Sequence, residues 1–157
     1  QVTELDTLLN DAYLMARQEA DPKKIRCTRS RNKKLKIYAD PDRLLQVLMN
    51  LIKNAVKFTE SGGNISLIAE ENDSNVLVHV KDTGVGISEE KLEKIFQPFE
   101  QIEPVGNSGS SRGFGLGLTI SKMLSRKMGG DLTVSSTVGE GTTFTLHIPK
   151  AIETQSR

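Results

Sequence analysis

Five stretches of the chain carry residue types that could do chemistry. In Asn50-Leu-Ile-Lys-Asn54-Ala-Val-Lys57-Phe58, positions 50, 54, 57 and 58 stand at i, i+4, i+7 and i+8. On a helix they would share one face. Two carboxamides and an ammonium among Leu, Ile, Ala and Val are costly to bury without partners. A carboxamide oxygen can ligate a hard cation such as Mg²⁺, and a lysine can neutralise phosphate charge. The polar edge of an amphipathic helix would show the same spacing, so these residues alone leave both readings open.

Asp82-Thr-Gly84-Val-Gly86-Ile87 directly follows a strand-like run. A carboxylate at a strand end can accept from an exocyclic amine such as adenine N6, and glycines let backbone approach a planar base. Alone, the pattern is equally that of an ordinary turn. Gly113-Phe-Gly115-Leu116-Gly117-Leu118 opens a helical stretch. Alternating glycines there offer backbone N–H groups, and the positive end of the helix dipole, to phosphate. The spacing is neither the dinucleotide fingerprint nor a Walker A motif. Phe96-Gln-Pro-Phe99 precedes a long polar tract and suits a lid anchor or a small core plug equally. In Gly141-Thr142-Thr-Phe, the Thr142 hydroxyl could join the base-binding end, although a plain strand threonine fits too.

The elements that would position these groups follow from periodicity. Apolar residues at 2, 5, 8, 9, 12 and 15 predict a helix over 2–19, with Thr3 or Asp6 as its cap. Residues 25–29 and 35–38 read as short strands joined by a basic turn. Asp40-Pro41 opens a second helix that ends at Ser61-Gly62-Gly63. Strands follow at 65–70 and 76–81, then a short helix to Phe96 and a polar tract over 97–113 long enough to be a lid. A third helix over 116–128 and a hairpin of 131–137 with 142–149 complete the pattern. This order predicts one α+β domain, a two-layer sandwich whose mostly antiparallel mixed sheet carries helices on one face. Its core would span about 2–149, with a tail over 150–157.

Composition sets limits without naming a function. With 157 residues, 36% hydrophobic and 26% charged, the chain can bury one core. A net charge of +1 gives no reason to expect nucleic acid or a membrane surface as partner. No apolar run reaches the ~20 residues of a membrane span. The single cysteine, Cys27, excludes an internal disulfide, and a half-buried strand residue is the expected role.

Taken in order, the clusters resemble the N box (50–58), first glycine box (82–86), F box (96–99) and second glycine box (113–118) of sensor histidine kinases. The flanking Asp40-Pro-Asp-Arg-Leu and Gly139-Glu-Gly-Thr-Thr-Phe look like the same family, so the resemblance runs over about 2–149. It implies the Bergerat nucleotide-binding fold and the cofactors ATP and Mg²⁺. By the same resemblance Asn54 ligates the metal, Lys57 contacts the phosphates and Phe58 lies beside the base. Asp82 accepts from adenine N6 in a pocket shaped by Gly84, Gly86 and Ile87, with Thr142 nearby. Gly113, Gly115, Leu116, Gly117 and Leu118 bring backbone to the phosphates, and Arg112 is a candidate for the γ-phosphate.

Asn50 and Lys57 are the catalytic candidates. Hydrolysing branches of this superfamily place a glutamate where this chain has Asn50, and a carboxamide cannot act as a base. The resemblance therefore implies transfer to a histidine on a dimerisation and phosphoacceptor domain, and onward to a response regulator receiver domain. His79 and His147 lie in predicted strands, are expected to face solvent, and do not resemble that acceptor. Phe114 departs from the family's hydroxyl-bearing residue before Gly-Leu-Gly-Leu, which weakens any side-chain role there. The remaining readings are a nucleotide-sensing module without transfer, and a hydrolase or serine kinase on the same fold. A cytoplasmic location, with any membrane anchor upstream, and a monomeric fragment are expected.

Overall fold

The computed structural model describes residues 2–31, 35–97 and 114–151. The expected lid beyond Gln97, including Phe99, Arg112 and Gly113, lies outside the described residues, as does the tail after Ala151.

Chain order is β1 (Val2–Glu4), α1 (Leu5–Ala20), a 3-10 turn (Asp21–Lys23), β2 (Arg26–Arg29), β3 (Lys36–Tyr38) and α2 (Pro41–Phe58). Then come β4 (Asn64–Glu71), β5 (Asn75–Asp82), α3 (Glu89–Leu92), α4 (Phe114–Lys127), β6 (Asp131–Thr137) and β7 (Gly141–Pro149). The main sheet has the order β2-β4-β5-β7-β6. Only the β2–β4 pair is parallel. This is the mixed, mostly antiparallel sheet that the sequence predicts.

Alternation along the strands decides which face is buried. Ile65, Leu67, Val76, Val78, Val80, Phe144, Leu146 and Ile148 point inward, under the apolar stripes of α1 and α2. On α2 that stripe is Leu44, Val47, Leu48, Leu51, Ile52 and Ala55. Asp40 caps the helix as expected, its side chain accepting from Asp42 N at 3.0 Å and Arg43 N at 3.4 Å, with Pro41 first in the helix. Together these fix where the 50–58 face begins and which way it turns.

Four expectations need correction. Residues 2–4 form a strand, because Val2, Thr3 and Glu4 pair antiparallel with Tyr38, Ile37 and Lys36. Neither Thr3 nor Asp6 caps α1; Glu4 is its N-cap residue and makes no side-chain cap bond. Strands β2 and β3 do not pair with each other: β2 joins the main sheet beside β4, and β3 joins β1. Pairing also continues past Pro149, since Lys150 bridges Ile37 and Ala151 N donates to Lys36 O at 3.1 Å. His79 and His147 lie on the sheet face away from the core, but both are half-buried. His79 is held between Thr145 and Glu70, and His147 sits beside Thr133.

Cys27 is the half-buried strand residue expected, and burial first, then Asp21, pushes its thiol up to about 11 against an opposing pull from Arg17. At pH 8 its alkylation by iodoacetamide should run roughly a hundred-fold slower than that of an ordinary thiol of pKa ~8.5; a normal rate would contradict the buried setting. Asp40→Ala should lower stability by about 1 kcal/mol in denaturant titration through loss of the cap.

Candidate functional site

The site gathers where β5 ends, because three elements meet there through backbone. Asp82 closes β5 and pairs in register with Thr142 at the start of β7. After it the chain turns across the C-terminus of α2, where Val85 N donates to Phe58 O at 3.2 Å. Gly84 makes that approach possible, since an added Cβ would overlap the Phe58 carbonyl. Gly86 adopts φ +78° and passes so close to Thr137 that a Cβ would strike its carbonyl. Both glycines of the turn are therefore required by contact with the protein's own backbone.

Asp82 is 4% exposed. Its Oδ1 accepts from Gly84 N at 2.8 Å and from Thr142 N at 3.3 Å. Burial pushes its carboxyl above the usual range, and the two backbone N–H groups pull the other way. Both bonds fall on Oδ1, so Oδ2 accepts from no described residue. Such a carboxylate is pinned on one oxygen and presents the other to a donor.

Ser136, which the sequence reading missed, pairs its hydroxyl with that of the candidate Thr142 at this end. Ser136 Oγ accepts from Ile87 N at 2.8 Å and donates to Gly141 O at 2.9 Å. It also lies 2.8 Å from Thr142 Oγ1. With the Ser136 proton committed to Gly141, Thr142 must donate to Ser136 and keeps only lone pairs for a ligand. Thr142 is 5% exposed, so these lone pairs belong to the interior. Thr83 Oγ1 accepts from Asn64 N at 3.0 Å and closes the turn on its other side. Ser136 escaped notice because a serine in an alternating strand carries no local signature.

The other half of the site is the meeting of α2 and α4. Asn54 is 3% exposed and makes no hydrogen bond to a described residue. Lys57 is half-buried, its Nζ 5.6 Å from the Phe58 ring centroid. Phe58 itself is 7% exposed and belongs to the core cluster. Asn50 is half-buried and donates through Nδ2 to Ser121 Oγ at 3.2 Å and to Gly117 O at 3.5 Å. Gly115, Leu116, Gly117 and Leu118 lie in the first turns of α4, with Leu118 buried. Phe96 turns out to be a core plug, edge-on to Phe144 with ring centroids 6.4 Å apart, and Lys122 Nζ sits 4.8 Å above its ring. The structure thus brings Asn50 to the α4 turn, and Asp82, Gly84, Gly86, Ile87 and Thr142 to the sheet end. A separate groove of about 570 Å³ lies between α1 and β2, but its Arg29 is engaged by Asp6 at 2.9 Å.

A family model described as histidine kinase-, DNA gyrase B- and HSP90-like ATPase matches residues 39–152. The sensor protein SrrB of Staphylococcus aureus is 38% identical over 150 residues, covering 96% of this chain. The chain spans about a quarter (26%) of the length of that relative. A nucleotide-free catalytic domain of histidine kinase ThkA is 30% identical, with a TM-score of 0.80, over 96% of this chain and 95% of that one. ThkA in complex with response regulator TrrA is 28% identical with a TM-score of 0.77, over 96% and 42%. Full-length ShkA in complex with AMPPNP is 32% identical with a TM-score of 0.82, over 98% of this chain and 31% of that one.

Replacing Asp82 tests the base end. In Asp82→Asn the amide oxygen would stay with the Gly84 and Thr142 N–H groups, turning an NH₂ donor toward the ligand amine. Calorimetric titration should show at least a roughly tenfold loss of ATP affinity with Mg²⁺. A raised carboxyl pKa means that the ionised form weakens the fold as pH climbs through its folded value. The neutral amide removes that cost, so the unfolding temperature at pH 7 should not fall. Retained affinity would take Asp82 out of the base pocket.

Proposed function

The chain belongs to the histidine kinase-, DNA gyrase B- and HSP90-like ATPase family, as a histidine kinase catalytic domain, and we propose that it binds ATP with Mg²⁺ and delivers the γ-phosphoryl group to a histidine on a separate dimerisation and phosphoacceptor domain. From there the phosphoryl group passes to a response regulator receiver domain. The observation that carries this reading is the pairing of a pinned, buried Asp82 with a Ser136–Thr142 hydroxyl pair at one end of the site. At the other end stand two carboxamides, Asn50 and Asn54, on one face of α2.

Asp82 Oδ2 accepts from the exocyclic amine of the base, which selects adenine over a base bearing a carbonyl there. On this reading Phe58 lies beside the base and Ile87 helps to shape its pocket; both are buried. Asn54 fits a magnesium ion, since its buried carboxamide has an oxygen to give and no described partner. Bound there, Mg²⁺ would offset phosphate charge. Lys57 adds a cation from the same helix. The first turns of α4 present backbone N–H groups and the helix dipole to the phosphates, and Arg112, outside the described residues, is the candidate for the γ-phosphate.

Within this site Asn50 stands where a hydrolase needs a base. Its Nδ2 is turned toward Gly117 O and Ser121 Oγ, and no carboxamide can deprotonate water. Phosphoryl transfer depends chiefly on positioning and electrostatics, so the nucleophile can be brought from outside. The histidines of this chain are unsuited to that role. His79 is engaged by Thr145 and Glu70, and His147 lies beside Thr133, both on the sheet face away from the helices. Among the described residues no helix is long and apolar enough to cross a membrane; the proposed setting is the cytoplasm, with this domain as a monomer.

Incubation with γ-labelled ATP and Mg²⁺ should label a supplied histidine-bearing dimerisation domain, but not this chain alone. The product should lose its phosphate in acid and keep it in alkali. Steady phosphate release without an acceptor would instead favour the hydrolase, and an acid-stable product a serine acceptor.

A further inference from the structure

One polar side chain outside the sequence boxes is sealed between the two helices that flank the phosphate end. Ser121 on α4 is 0% exposed, and its Oγ receives Asn50 Nδ2 from α2 at 3.2 Å. The same nitrogen reaches Gly117 O at 3.5 Å. Positions 117 and 121 are i and i+4, stacked on one face of α4. A Cβ added at Gly117 would lie 3.9 Å from the Asn50 carboxamide carbon, in ordinary contact, so the approach does not itself require glycine there.

The carbonyl of Gly117 can only accept, so the nitrogen of the Asn50 carboxamide must be the atom turned toward α4. Its oxygen then faces away and accepts from no described residue. Ser121 Oγ keeps its own proton while accepting, and Ser125 Oγ donates to Ser121 O at 2.7 Å, which braces the next turn. Without the hydroxyl, only the longer contact to Gly117 would orient Asn50.

We propose that Ser121 is a positioning residue of the nucleotide site, holding the Asn50 carboxamide in one orientation and thereby setting the first turns of α4 against the Asn54 helix. The assignment rests on the ATP-binding reading above. Ser121 acts through Asn50 and touches no nucleotide itself. Its effect falls on the phosphate end and spares the base end, which hangs on the sheet.

Four proteins test this: the parent, Ser121→Ala, Asn50→Ala and the double variant. Ser121→Cys, nearly the same size but a weak acceptor, is a second probe of the hydroxyl should Ser121→Ala fold poorly. Affinities for ATP with Mg²⁺ and for adenosine are measured by calorimetry, with amide exchange over residues 117–121 in the free proteins. Ser121→Ala should weaken ATP by roughly three- to tenfold, leave adenosine unchanged and speed exchange over 117–121. Adding it to Asn50→Ala should cost nothing further, because the contact is already gone. Unchanged ATP affinity in Ser121→Ala, additive losses in the double variant, or equal losses of ATP and adenosine would each overturn the assignment. The last result would mark Ser121 as a packing residue only. A parent that fails to bind ATP overturns the nucleotide reading itself, whereas a parent that binds as tightly as Ser121→Ala overturns only the role of Ser121.

Discussion

The site depends on one buried carboxylate. Asp82 sits at 4% exposure with no counter-charge among its bonded partners, and two backbone N–H groups hold it there. Such a group survives burial only while its donors stay in place. One donor comes from the glycine turn and the other from β7, so the carboxylate ties the β5–β7 register to the turn that crosses α2. Its raised pKa is the measure of what burial costs. On the proposed reading, a ligand donor completes the second oxygen and offsets that cost.

Much of this was legible in the sequence because the relevant signals are local. Asp40-Pro41 announces a cap and a helix start from two adjacent residues, and the structure shows the cap bonds. Alternation in 76–81 and 142–149 gives strands whose neighbours are fixed by hairpin turns. The errors fall where pairing is between distant segments. Val2–Glu4 has an apolar residue on the stripe of α1 and could extend that helix, but β3 offers it a ladder. No periodicity in 25–38 tells β2 to lie parallel to β4 and β3 to pair with β1. Such choices follow from closing the core over the whole chain, not from the residues concerned.

The same distinction separates the site residues. Asp82, Gly84, Gly86 and the 50–58 face were readable because their types are unusual for their positions. Ser121 and Ser136 were not, since a serine on a helix or an alternating strand is unremarkable until its partner is known. Each makes a contact across a long stretch of chain, 71 positions to Asn50 and 49 to Ile87. Side chains that orient other side chains leave little trace in a one-dimensional pattern.

The two ends of the site are built on different kinds of support. The base end rests on ladder bonds of β5, β6 and β7 and on main-chain donors to Asp82, which cannot shift without loss of register. The phosphate end rests on α4. Its later turns are fastened to β6, where Lys122 Nζ donates to Leu132 O at 2.7 Å and pairs with Asp131 at 2.9 Å. Its first turns are held by side chains, through Asn50 to Ser121 and through Thr119 Oγ1 to Phe96 O at 3.0 Å. Side-chain contacts of this kind can be exchanged one for another at small cost, whereas a strand register cannot. A ligand would therefore meet a base pocket already formed and a phosphate end whose helix can adjust around Asn50. That arrangement suits a reaction in which the adenine must stay fixed while the γ-phosphate is offered to a nucleophile from another domain.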